Sequence, residues 1–156
     1  MVVATRRRPG RPRNRYSYGA EVCAWIEEYC VLPTGDHAGE PFRLLPWQKE
    51  WIGELFETNA TGSLLYRWAL LGVPKGNGKS PLVAALALYH LLGDPDEPDP
   101  WVVLAAASDK QADIVFDACK RMCDMSPALD KLTVRYRWEI RPKEGLGKIE
   151  RVAASG

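Results

Sequence analysis

The chain has 156 residues, 46% of them hydrophobic and 26% charged, a composition that fits one globular domain with a single core. No apolar stretch reaches membrane-spanning length without a break, and the N-terminus lacks the apolar segment of a signal peptide. A membrane-bound or exported protein is therefore not expected, and the cytosol is the expected compartment. The net charge of +1 hides an asymmetry: residues 1–15 hold six arginines and no acid, and the rest holds 15 basic against 20 acidic residues.

Residues 1–18 are rich in Arg, Pro and Tyr with no periodicity, and are expected to form a disordered basic arm ahead of a domain spanning 19–156. Within the arm, Arg8-Pro9-Gly10-Arg11-Pro12-Arg13 partly matches an AT-hook, whose extended arginines sit in the narrow minor groove of A·T-rich DNA. Arg8, Arg11 and Arg13 are thus weak DNA-binding candidates, with a solvated tail as the alternative. Residues 19–31 carry Val22, Cys23, Ile26, Tyr29 and Cys30 at helical spacing. After a loop from Pro33 to Gly39 comes Pro41-Phe42-Arg43-Leu44-Leu45-Pro46-Trp47-Gln48, followed by a short amphipathic helix running to about Phe56, with Gln48 at its start. A glutamine amide can donate to and accept from the N6/N7 edge of adenine, which makes Gln48 a candidate base reader.

The most informative stretch is Gly72-Val73-Pro74-Lys75-Gly76-Asn77-Gly78-Lys79-Ser80. An apolar run, Leu64 to Val73, precedes it as an expected buried strand, and a helix over 80–92 follows it. Strand, glycine-rich turn and helix form the setting in which Gly-Lys-Ser cradles phosphate. Gly76 and Gly78 let the backbone curl its N–H groups toward one anion, and the helix N-terminus adds positive potential there. Pro74 and Asn77 complete the loop, Lys79 reaches the β- and γ-phosphates of ATP, and the Ser80 hydroxyl can ligate Mg²⁺. The usual first glycine of the motif is Val73 here, and Pro81 removes an N–H that such loops aim at the α-phosphate.

Gly93 to Pro100 is an acidic, proline-rich linker, and Trp101 to Ala107 is a second expected buried strand. Ser108 and Gln111 have the spacing of a capping box opening a helix, whose inner face holds Ala112, Val115, Phe116, Cys119, Met122 and Cys123. The cysteine pairs 23/30 and 119/123 are spaced along helical faces, so buried free thiols are expected rather than a zinc site. Leu132 to Ile140 alternates like an exposed or edge strand, and Lys148 to Ala154 is expected to start another. The order βαβα predicts an α/β fold with a parallel sheet flanked by helices.

Taken together, Leu45-Pro46-Trp47-Gln48, Val73 to Ser80, and Ala105-Ala106-Ala107-Ser108-Asp109-Lys110-Gln111-Ala112 resemble the N-terminal ATPase domain of the tailed-phage terminase large subunit. The resemblance implies an incomplete P-loop NTPase (RecA-like) sheet with Gln48 in the adenine motif. It also implies a deviant Walker A in which Lys75 and Lys79 act in catalysis. The full protein would be a DNA-packaging motor that uses ATP and Mg²⁺ on double-stranded DNA. Its expected partners are a small terminase subunit, a portal protein and further copies of itself, with no membrane. The Asp-Glu pair that would hold Mg²⁺ has no counterpart here; Ser108-Asp109 is the nearest approach, and the family's pair is expected beyond residue 156. A helicase-like translocase fragment, or a DNA-binding remnant working through the arginine arm, are the competing expectations.

Overall fold

The computed structural model describes residues 16–153, so residues 1–15 of the expected arm, Arg8, Arg11 and Arg13 among them, lie outside the described residues. The described chain forms helices α1 (Gly19–Tyr29), α2 (Pro46–Leu55), α3 (Lys79–Leu92), α4 (Asp109–Met125) and α5 (Pro127–Leu132). Its strands are β1 (Trp101–Ala106), β2 (Thr133–Arg135), β3 (Glu139–Pro142) and β4 (Lys148–Ala153). The described residues divide into two compact units, one within 16–24 and 43–79, the other within 25–42 and 80–153. No helix among the described residues is long and apolar enough to cross a membrane.

In the first unit the start of α1 lies against α2. Ser17 Oγ donates to the Gly53 carbonyl at 2.7 Å, and Tyr18 N–H donates to Phe56 O at 3.2 Å. Gly19 makes this approach possible, since a Cβ there would stand 2.5 Å from the Gly53 Cα. Val22, Trp51, Ile52 and Phe56 are buried in this unit. Leu64 to Val73 does not form the expected strand. Among the described residues it shows only isolated bridges, at Leu64 and Gly72, and Trp68 is 91% and Leu70 71% exposed. Apolar content had pointed to a strand, but a strand exists only when a neighbour takes its N–H and C=O groups.

The second unit holds a four-stranded sheet of order β1-β4-β3-β2. It is mixed rather than parallel: β1 and β4 run parallel from Trp101↔Lys148 to Ala106↔Ala153, whereas β3 pairs antiparallel with both β4 and β2. The single strand expected over 132–140 is instead a hairpin, because Tyr136 N–H turns back to Glu139 O at 2.8 Å. Helix α4 packs on β1 and β4, and on that face Ile140 and Ile149 are fully buried. The opposite face is open, so β1 alternates and leaves Trp101 and Val103 exposed instead of burying both faces. Trp101 Nε1 there donates to Glu150 at 2.9 Å, and Lys148 reaches the same carboxylate at 2.9 Å.

Helix α4 starts after Ser108 as its spacing predicts, but the Ser108 side chain makes no capping hydrogen bond; only backbone donors, Gln111 N–H among them, reach the Ser108 carbonyl. All four cysteines are buried free thiols. Burial is the main force raising the Cys30 and Cys119 thiols, with Cys123 nearby adding to it, and burial pushes Cys123 up to about 11. Thiolate is the reactive form. Ellman's reagent at pH 8 should therefore titrate almost no thiol in the native chain and all four in denaturant. Rapid native reaction of even one of Cys30, Cys119 or Cys123 would contradict this packing.

Candidate phosphate-binding site

Helix α2 sets one wall of the candidate site. Pro46 occupies its first turn, where a missing N–H costs nothing. Leu45 precedes it with no side-chain acceptor to offer, and the cap is made from the other direction: Gln48 Oε1 accepts the Leu45 N–H at 2.8 Å. Gln48 is only 2% exposed. Its amide nitrogen lies 3.5 Å from the position a Cβ on Gly78 would take. The two sequence-predicted residues are thus brought together, with Gln48 directly beneath the glycine-rich loop. One oxygen lone pair and the amide N–H are what Gln48 keeps for any base contact.

The loop itself depends on its glycines. Gly76 has φ +88° and Gly78 φ +71°, in the left-handed region that side-chain-bearing residues rarely adopt. Nothing lies within 4 Å of a Cβ built on Gly76, so that side of the turn is open to a ligand. Asn77 Nδ2 donates to the Pro74 carbonyl at 3.2 Å and closes the turn across its own base. Helix α3 then begins at Lys79, with Ser80 and Pro81 next along its first turn. Lys79 Nζ folds back to the Val73 carbonyl at 3.4 Å, which leaves the ammonium beside the loop it would serve. Lys75 is exposed within the turn.

An anion fits this arrangement on chemical grounds. Two left-handed glycines curl the backbone into a shallow concavity, a fourteen-residue helix starts at its rim, and a lysine stands over it. The acidic candidate Asp109 is already engaged, its carboxylate 2.6 Å from Arg151 Nη2. Among the described residues no group of three His, Cys, Asp or Glu side chains converges as a metal cage would require. Sequence patterning found the loop, Lys79 and Gln48. It gave no signal that Gln48 would be tied to Leu45, since that depends on where α2 begins.

The family model described as "Terminase large subunit, ATPase domain" matches residues 46–144, from the first residue of α2 to beyond β3. The chain belongs to this family. It is 34% identical over 114 residues to the "Terminase, large subunit" of Enterobacteria phage HK97, a match covering 73% of this chain and 22% of that protein. The crystal structure of the HK97 bacteriophage large terminase superposes with a TM-score of 0.74 at 29% identity, over 90% of this chain and 28% of that one. The chain therefore spans roughly a quarter of the length of the terminases it matches. The resemblance expected from the three motifs is shown, and both the sheet and the helices around it have a counterpart in a terminase.

Proposed function

We propose that this chain is the nucleotide-binding part of a DNA-packaging motor in which ATP hydrolysis drives double-stranded DNA into a procapsid. The observation that carries the reading is the turn at Gly76 and Gly78, which runs directly into α3 at Lys79 inside the stretch matched to the terminase ATPase domain. Backbone N–H groups of residues 76–80 would receive the β-phosphate, Pro81 contributing none. Lys79 would leave the Val73 carbonyl for the β/γ-phosphate oxygens, and the Ser80 hydroxyl would hold Mg²⁺. Magnesium supplies charge neutralisation on the transferring phosphoryl group. Lys75, exposed on the same turn, would meet charge developing at the γ-phosphate. Gln48 would support the loop from below and offer its remaining polar atoms to the adenine edge.

The P-loop, RecA-like character of the fold belongs to the same proposal. So do the partners: DNA, a small terminase subunit, a portal and further copies of the chain, acting in the host cytosol. Calorimetric titration of the chain with ATP and Mg²⁺ tests the reading. Saturable binding near one nucleotide per chain is expected. A folded chain that binds no nucleotide would overturn it.

A further inference from the structure

The hairpin β2–β3 and its flanks are charged against the trend of the chain. Residues 131–148 hold six basic and two acidic residues; the rest of the chain beyond residue 15 holds nine basic and eighteen acidic. Three of the six cations are neutralised locally. Arg135 pairs with Asp124 at 2.8 Å and with Asp130, Arg141 with Glu139 at 2.8 Å, and Lys148 with Glu150 at 2.9 Å. Lys131, Arg137 and Lys143 are exposed and have no carboxylate partner among the described residues.

The tip of the hairpin is unusual in composition. Tyr136 N–H bonds to Glu139 O, which leaves Arg137 and Trp138 as a two-residue tip. Such tips favour Asn-Gly or Asp-Gly with positive φ, yet no non-glycine residue among those described has positive φ. Turn propensity therefore does not account for Arg137 and Trp138. Their contacts do more. The Arg137 guanidinium lies over the Trp138 ring at 4.5 Å, and the Arg151 guanidinium lies over the same ring at 4.6 Å. Arg151 N–H donates to the Trp138 carbonyl at 3.1 Å, and Arg151 itself is fixed by Asp113 and Asp109, each at 2.6 Å. Helix α4 thus holds Arg151, Arg151 holds Trp138, and Trp138 holds Arg137, a cation presented at the tip with little freedom left to lose on binding.

We propose that this hairpin, through Arg137 at its tip and Lys143 at its base, contacts the phosphate backbone of double-stranded DNA; this rests on the packaging reading above. At about 3.3 Å per extended residue the backbones at Arg137 and Lys143 are at most roughly 20 Å apart. Duplex DNA carries one phosphate charge about every 1.7 Å along its axis, so both cations can meet phosphates on one duplex. Leu132, Tyr136, Trp138 and Leu146 are exposed beside these cations, and the unpaired positive charge among them selects a polyanion.

Fluorescence anisotropy with a labelled duplex, repeated over a range of salt concentrations, tests this. Arg137→Ala and Lys143→Ala are each expected to reduce the slope of log K against log salt by about one, and the double variant by about two, with affinity falling at least tenfold at low salt. Arg121→Ala, which removes an exposed cation from α4, is expected to keep the parent slope. A double variant with the parent slope, or an equal loss in Arg121→Ala, would overturn the proposal, the latter by making the effect one of net charge. A parent chain with no DNA affinity would overturn it too. The ATP titration reports separately on the nucleotide reading, so a hairpin effect in a chain that binds no ATP would leave the DNA contact standing alone.

Discussion

Gly147→Ala is expected to lower folding stability by about 2–5 kcal/mol, whereas Gly145→Ala, two residues earlier, should lower it by only about 1–2 kcal/mol. Both glycines have positive φ, +102° and +93°, so alanine pays a left-handed backbone cost of about 1–2 kcal/mol at either position. They differ in what surrounds them. Nothing lies within 4 Å of a Cβ on Gly145, while one on Gly147 would stand 2.7 Å from both Cδ and the carbonyl oxygen of Pro100. Overpacking of this kind adds about 1–3 kcal/mol. Pro100 cannot easily yield. It is buried, and its carbonyl accepts the Lys148 N–H at 2.8 Å, the bond that starts the β1–β4 ladder. Urea denaturation of the two variants beside the parent measures both losses. Equal losses would mean that the close approach at Pro100 does not exist in solution.

The same position shows what the sequence could and could not convey. Lys148 to Ala154 reads as a strand from its own residues, and β4 covers Lys148–Ala153. That β4 lies parallel to β1, and that Gly147 is where the chain passes over Pro100, depends on pairing between residues far apart in sequence. Helices were the legible part. Their 3.6-residue periodicity is local, and α3 and α4 begin within a residue of where spacing placed them, while α2 begins two or three residues earlier, at Pro46. Strands were less so. Leu64 to Val73 and Trp101 to Ala107 were both expected to be buried, yet one forms no ladder and the other is covered on one face. An apolar run records an ability to be buried, and a neighbour decides whether it is.

The candidate site follows the same division. Gly76, Gly78, Lys79 and Ser80 were legible as candidates because the proposed phosphate loop is a local device, set by φ angles and a helix start within nine residues. The conjunction of Gln48 with Gly78 spans thirty positions and became visible only in three dimensions. The Arg137–Trp138 tip lay unnoticed inside what looked like one strand. Its signal, cations interleaved with aromatics in an otherwise acidic body, was present in the sequence but competed with an alternation that also fits an edge strand.

Lys79→Ala is expected to weaken ATP binding by about 1.5–3 kcal/mol, a factor between about 10 and 150 in the dissociation constant. The lysine supplies the one side-chain ammonium that folds over the loop, and hydrogen bonds from a cation to phosphate are among the strongest a protein makes. Without ligand that ammonium has only the Val73 carbonyl at 3.4 Å, a weak contact that an arriving phosphate displaces at little cost. Because Lys79 is exposed, alanine should leave the fold intact, and circular dichroism of the variant should overlay the parent. Lys75→Ala provides the contrast. It removes an equal charge from the same turn, but on the proposed reading Lys75 meets charge developing at the γ-phosphate and so acts in hydrolysis more than in ground-state binding. ATP affinity in that variant should stay within about twofold of the parent. Titration of all three chains with ATP and Mg²⁺ decides the matter. Equal, modest losses in both variants would reduce the loop to a basic surface, whereas loss confined to Lys79→Ala would identify it as a built phosphate site.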